Sequence, residues 1–295
     1  MADYVISCCS TADVSMEWIQ RRDISFIPFH VTVGGQEYAD DFGQSIRPEE
    51  LYKRMKAGET AVASGVTVDA FRKYFEEILA QGKDLIHVSV SSGISTSYNA
   101  AKLAKSDLSS RYPDRKIFVV DSLCASSGYG LLVDKLADLR DEGRSIGEIL
   151  RYAEDNKGKI HHWFISSDLT YLSNSGRVSK MTGVFGNMLN ICPLLDMNIE
   201  GKLIAKEKIR SKKKAMKRML EKMIQYAEGR SNYKEKCFIS HSLCEKDARE
   251  MAEMVEACFP QLNGGVQIYP IGAAIGAHTG PGTIAFFYWG DERKV

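Results

Sequence analysis

The stretch Asp84-Leu85-Ile86-His87-Val88-Ser89-Val90-Ser91-Ser92-Gly93-Ile94-Ser95-Thr96-Ser97-Tyr98-Asn99 decides the fold. Its first seven residues are mostly apolar and β-branched, the composition of a buried strand. Asn99-Ala100-Ala101-Lys102-Leu103-Ala104 continues as a helical pattern. A cluster of hydroxyls fills the turn between them. At such a junction the free backbone N–H groups and the positive end of the helix dipole face a ligand. One or two serines serve as caps and turn formers. The remainder point to an oxyanion, a carboxylate or a phosphate, held by neutral donors.

Outward from this stretch, the first half alternates strands and helices. Tyr4–Cys8 reads as a strand and Met16–Arg22 as a short helix. Ile24–Val33 reads as a strand interrupted at Pro28, and Val31–Tyr38 as a hairpin on Gly34-Gly35. Helices are expected over Pro48–Ala57 and over Thr67–Ala80 with Thr67 as N-cap. Lys116–Asp121 reads as a strand, followed by helices at Gly128–Glu142 and Ser145–Asp155. This alternation implies a parallel sheet covered on both faces.

The pattern changes after Lys157. Trp163–Ser166 reads as a strand, Val184–Leu189 as an apolar helix and Leu194–Ala205 as a hairpin around Ile199-Glu200-Gly201. A basic helix runs over Ser211–Glu228. Strands at Lys236–Ser240, Gly265–Pro270 and Thr283–Trp289, with a helix at Glu245–Cys258, complete an α+β half. The expected division is 1–158 and 159–295.

Among 295 residues, 39 are basic and 38 acidic, a net charge of +1 that gives no electrostatic reason for a nucleic-acid partner. The first residues lack a signal-peptide pattern, and no apolar run reaches the length of a membrane span. A soluble, cytoplasmic protein is the expectation. Seven scattered cysteines with no C-x-x-C pair suggest neither a zinc site nor a disulfide framework, and read as buried thiols.

Four further motifs bear on chemistry. Ala277-His278-Thr279-Gly280-Pro281-Gly282 reads as a loop whose imidazole can donate to a carboxylate or serve structure alone. Arg177, after Gly176, can pair with an acidic group across a cleft or stay solvated. Lys206–Arg218 is strongly basic, a solvated face or a dock for an acidic protein. Ser7–Asp13 is a second hydroxyl-rich strand end that a doubly wound sheet would bring near Ser91. Walker A, G-x-S-x-G, H-E-x-x-H and G-x-G-x-x-G patterns are absent.

Taken in order, these motifs resemble the DegV family. The series runs from Ser10-Thr11-Ala12-Asp13 through Ile27-Pro28-Phe29, Gly35-x-x-Tyr38-x-Asp40 and Ser91–Tyr98 to Val120-Asp121-Ser122. It continues with Leu169-x-Tyr171-Leu172, Gly176-Arg177-Val178-Ser179, Arg210 with Lys214-Ala215, and Ile275–Gly282. The resemblance implies a two-domain α/β fold: a mostly parallel N-terminal sheet flanked by helices, a C-terminal α+β domain, and a ligand tunnel between them. It implies a bacterial carrier of a long-chain fatty acid, such as palmitate or oleate, that has no catalytic residues, metal or cofactor. A separate fatty-acid kinase would phosphorylate the presented carboxylate for phospholipid synthesis.

Residue by residue, Ser95 matches the family's head-group serine and His278 its C-terminal histidine, with Ser64 and Ser92 as further carboxylate donors. Arg177 matches an arginine at the pocket mouth, and Arg210 one associated with kinase docking. Three positions depart from the pattern. Ala63 stands where the family has a threonine, leaving Ser64 or Thr67 to compensate. Cys9 replaces an aspartate, removing an acidic group near the cleft. Thr96 replaces a glycine, at a position where positive φ is expected. Two alternatives stay open: a Ser95/His278 acyl- or phosphoryl-transfer enzyme, and a carrier of another amphiphile.

Overall fold

A computed structural model of the chain describes residues 3–166, 168–178 and 191–294. Strands β1 (Tyr4–Cys9), β2 (Ser25–Ile27), β6 (Asp84–Ser89) and β7 (Ile117–Asp121) form an all-parallel sheet in the order β2-β1-β6-β7. Strands β3 (Phe29–Val33), β4 (Gln36–Asp40) and β5 (Ala61–Ser64) form a small antiparallel sheet, β4-β3-β5. The third sheet is built from β8 (Ile160–Ile165), β9 (Ile191–Met197), β10 (Leu203–Arg210), β11 (Cys237–His241), β12 (Val266–Pro270) and β13 (Ile284–Trp289). Its order is β10-β9-β8-β13-β11-β12, antiparallel except for the β11–β12 pair.

The sequence explains these elements locally. Helix Val68–Leu79 starts where the Thr67 side chain accepts the Ala70 N–H, and it buries Phe71, Phe75, Ile78 and Leu79 on one stripe. Its Phe71 and Phe75 rings pack 5.1 and 5.4 Å from the His87 ring of β6. Helix Ile146–Asn156 opens with a capping box of Ser145 and Glu148.

Helix Ser127–Asp141 touches the parallel sheet through β1 and β6 and the six-stranded sheet through β11 and β13. Ten of its 15 residues are buried, which is why it lacks a polar face. A Cβ on Gly128 would meet the His162 ring at 2.2 Å, and one on Gly130 would meet the Ala12 carbonyl at 2.8 Å. These two glycines let both sheets close on the helix.

The parallel sheet and the later mixed sheet follow the sequence reading, and the structure corrects several details. Ala61–Ser64, between the expected helices Pro48–Ala57 and Thr67–Ala80, is strand β5, paired with Thr32 through Val62. The basic run 206–218 is divided between β10 and helix Lys212–Tyr226. Cys258 is exposed and Cys244 half-buried, so burial holds for the other five thiols only. His278 stands on a helix, Ala273–Thr279, not in a loop. The expected helix Val184–Leu189 and Ser179 lie outside the described residues. Among the described residues, no helix is long and apolar enough to cross a membrane.

Candidate functional site

In the parallel sheet, β1 connects outward to β2 and β6 outward to β7, so a crevice opens at the carboxyl ends of β1 and β6. A cavity of about 530 Å³ lies there, within the roughly 300–1,000 Å³ typical of small-molecule sites. Thr11 enters it after β1, Ser92 to Thr96 after β6, and Ala125 and Ser126 after β7. The six-stranded sheet supplies the facing wall. His162 and Phe164 of β8 alternate onto the same face as Ala285 and Phe287 of β13, with Phe164 opposite Ala285 and His162 opposite Phe287. Ser64 joins from β5, Leu172 from helix Leu169–Ser175, and Ile275 and His278 from helix Ala273–Thr279.

The hydroxyl turn separates into two roles. Ser91 and Ser97 are fully buried and hold the backbone. The Ser91 hydroxyl donates to the Gly201 carbonyl at 2.8 Å and accepts the Gly93 N–H at 3.1 Å. The Ser97 hydroxyl accepts the Val66 N–H at 3.2 Å. Ser95 lines the cavity; its hydroxyl accepts the Ser97 N–H and donates to the Ser97 hydroxyl, both at 3.2 Å. Ser92 and Thr96 are exposed cavity residues whose hydroxyls have no partner among the described residues. Thr96 adopts φ −83°, ψ −6°, so the threonine replaces glycine without the expected positive φ.

The structure also places the other two departures. The Thr67 hydroxyl is engaged as an N-cap, so Ser64, a cavity residue, is the hydroxyl beside Ala63. Cys9 is buried in the parallel sheet, its sulfur 3.6 Å from His87 Nε2, and does not line the cavity. Burial holds the Cys9 thiol well above its usual range and His87 down to about 3, which keeps both neutral. Carboxylates are not missing from the neighbourhood: Asp13 and Asp40 are buried beside the start of the His278 helix.

His278 occupies the last turn of its helix. Burial, reinforced by the Arg177 charge, lowers its pKa to about 4, so the imidazole is neutral near pH 7 and offers one N–H donor. Arg177 is an exposed cavity residue following Gly176, which ends helix Leu169–Ser175 at φ +66°. Arg210 stands apart, exposed at the end of β10 and not among the cavity residues. Lys202, which sequence reasoning missed, lines the cavity and pairs with Glu200 at 2.8 Å. The wall of His162, Phe164, Ala285 and Phe287 was also missed; period-two alternation was its available signal.

The polar cavity residues fall into two groups. Thr11 bonds Tyr129 at 2.6 Å, and the Thr279 and Thr283 hydroxyls donate to the Ile275 and Thr279 carbonyls at 3.2 Å. The Ser126 hydroxyl bonds Ser240 at 2.9 Å and the Asp13 carboxylate. His162 engages the Ile160 carbonyl at 3.0 Å and the Ala125 N–H at 3.3 Å. With their polar atoms committed to protein partners, these residues ask for none from a ligand. Ser64, Ser92, Thr96 and His278 have no such side-chain partners among the described residues and remain available to a ligand. The cavity therefore suits a molecule with one polar group and an apolar body.

The sequence profile described as the DegV family matches residues 6–291. A DegV domain-containing protein of Clostridium perfringens is 32% identical over 294 residues, covering 100% of both chains. A Thermus thermophilus DegV protein, whose structure is described as showing fatty-acid binding, superposes with a TM-score of 0.87 at 26% identity, covering 97% of this chain and 99% of that one. The Streptococcus pneumoniae fatty-acid kinase B3 protein, solved with linoleic acid, shares the fold at 24% identity and a TM-score of 0.83, covering 99% and 100% of the two chains. The profile and the full-length relative span the same strand ends that build the cavity, and the chain belongs to the DegV family.

Proposed function

We propose that this protein is a cytoplasmic carrier that binds one long-chain fatty acid and presents its carboxylate to a separate fatty-acid kinase for acyl-phosphate formation and phospholipid synthesis. The observation that carries the reading is the division of the cavity into available and committed polar groups. The carboxylate is assigned to Ser64, Ser92 and His278, whose polar atoms are available, and to Ser95, which turns its O–H from the Ser97 hydroxyl to the ligand, at the N-terminus of helix Ser97–Ser109. Arg177 stands at the mouth. The acyl chain lies against Phe164, Ala285, Phe287 and Leu172, where each buried methylene contributes about 0.8 kcal/mol. Residues 1–158 and 159–295 act as the two halves around the chain. The fatty acid is the ligand, and no cofactor or metal enters the reading. Fatty-acid binding by the Thermus thermophilus relative supports it.

The kinase would dock on the exposed basic surface around Arg210, which includes Lys214 and Lys217. A carrier role also accords with the site's hydrogen bonds: the Ser95 hydroxyl is engaged by Ser97, whereas a nucleophile needs a neighbouring base.

Organic extraction of the purified protein followed by mass spectrometry tests the reading. Stoichiometric fatty acid, or uptake of added oleate or palmitate, is expected. Recovery of neither would refute it. Arg210→Ala is expected to slow acyl-phosphate formation by a bacterial fatty-acid kinase with ATP while leaving oleate affinity unchanged. Ester or phosphoester turnover by the isolated protein, abolished in Ser95→Ala, would favour the enzyme alternative.

A further inference from the structure

We infer that Asp13 and Asp40 are positioning residues for the ligand's head group, acting through the helix that carries His278. The inference rests on the carrier reading for its ligand and on the following geometry for itself. Helix Ala273–Thr279 is two turns long and has no side-chain cap of its own at Gly272. Its first two N–H groups are instead held from the other end of the chain. The Gly272 N–H donates to Asp13 Oδ1 at 2.9 Å and the Ala273 N–H to Asp40 Oδ1 at 2.9 Å.

The second oxygen of each carboxylate is braced in turn. Asp13 Oδ2 accepts from Ser126, and Asp40 Oδ2 accepts from Ser10 at 3.1 Å. The Ser10 hydroxyl also accepts the Phe29 N–H at 3.0 Å. A Cβ on Gly272 would stand 2.9 Å from both Asp13 Oδ1 and Asp40 Oδ1, so the backbone enters the gap between the carboxylates as closely as a glycine allows. Both aspartates are almost fully buried, and neither has a cation within ion-pair distance among the described residues. Burial raises the pKa of each, and their mutual repulsion raises that of Asp13 further. Two buried carboxylates are costly to keep unless their hydrogen bonds secure something. What they secure is the start of the segment whose next turns place Ala274, Ile275 and His278 in the cavity.

The test follows the His278 ring proton by NMR titration of the ligand-free protein, with oleate affinity measured separately. In Asp40→Ala the helix start is released and His278 hydrates. Its midpoint is expected to rise from about 4 toward the ordinary value near ~6.5, with oleate bound at least tenfold more weakly. Asp40→Asn keeps an acceptor for Ala273 and is expected to restore both. If Asp40→Ala does not fold, Ser126→Ala, which loosens Asp13, is expected to shift the midpoint less in the same direction. An unchanged midpoint and affinity in a folded alanine variant would overturn the inference, as would an Asp40→Asn protein as impaired as Asp40→Ala. Failure of the wild-type protein to bind oleate would instead count against the carrier reading, while the ligand-free titration tests the aspartates independently of it.

Discussion

The Ser91 hydroxyl donates a 2.8 Å hydrogen bond to the Gly201 carbonyl, tying the turn after β6 to the tip of the β9–β10 hairpin. The contact is tight on both sides. A Cβ on Gly93 would meet the Gly201 carbonyl oxygen at 2.5 Å, and one on Gly201 would meet the Ser91 hydroxyl at 2.0 Å. Gly201 also sits at φ +71°, a conformation other residues rarely adopt. Gly201→Ala is therefore expected to cost more than about 1 kcal/mol and to displace the head-group turn. Ser91→Ala, which leaves the Gly93 N–H and the Gly201 carbonyl short of a partner, is expected to cost about 1–3 kcal/mol. Urea unfolding of both variants checks the ranking, and a neutral Gly201→Ala would contradict it.

The proposed site surrounds a carboxylate with neutral donors, which makes each loss measurable. A hydrogen bond to a charged group contributes about 1.5–3 kcal/mol, so His278→Ala is expected to weaken oleate binding by roughly tenfold or more. Ser95→Ala should do the same and lower stability slightly, because the Ser97 N–H loses its acceptor. Titration calorimetry at pH 7 measures both, and wild-type affinity in either variant would remove that residue from the head-group site.

The tail wall can be moved. Ala285 lies in β13 opposite Phe164, and both line the cavity. Ala285→Leu is expected to exclude terminal methylenes, costing the longest chains about 0.8 kcal/mol for each methylene left in water. Competition among fatty acids of graded length, read by mass spectrometry, should shift toward shorter chains. An unaltered length profile would place the tail elsewhere.

Ala63 pairs with Val31 in the small sheet and lines the cavity next to Ser64. Ala63→Thr adds a hydroxyl beside the proposed carboxylate site and a β-branched side chain suited to a strand. Oleate affinity is expected to rise several-fold in a fluorescent-probe displacement assay. No gain would mean that position 63 does not reach the head group.

His87 gives the fold a pH dependence of known sign. It is buried between Phe71, Phe75 and Ser7, and its pKa is lowered to about 3 by burial. The unfolded chain takes up a proton at about 6.5 that the folded chain refuses until about 3, so this residue's contribution is lost as pH falls through that window. His87→Gln is expected to be destabilised at pH 7, with the gap to wild type narrowing by about 2 kcal/mol at pH 5. Denaturant titrations at the two pH values measure it, and a gap independent of pH would show that His87 takes up its proton in the fold as readily as in the unfolded chain.

Much of this structure is locally legible. The run Leu85–Val90 has nothing polar enough to face water except His87 and Ser89, and the structure buries both. Thr67 and Ser145 announce their helices because a cap acts within three residues. The Gly34-Gly35 and Gly201 turns mark their hairpins for the same short-range reason.

Helix Ala273–Thr279 was not legible, because its N–H groups are satisfied by carboxylates 259 and 233 residues away in sequence. Seven residues cannot nucleate a helix on their own propensity. Nor could the sequence alone sort its hydroxyls. Ser91, Ser92, Ser95, Thr96 and Ser97 look equivalent along the chain. Which of them stay free of protein partners beyond the turn was decided by the Gly201 carbonyl and the Val66 N–H, which engage Ser91 and Ser97. Short-range hydrogen bonding and hydrophobic pattern determined the strand, the turn and the helix. Long-range packing decided which side chains of that turn remain available to a ligand, because a hydroxyl is available only where no distant partner has been brought within reach of it.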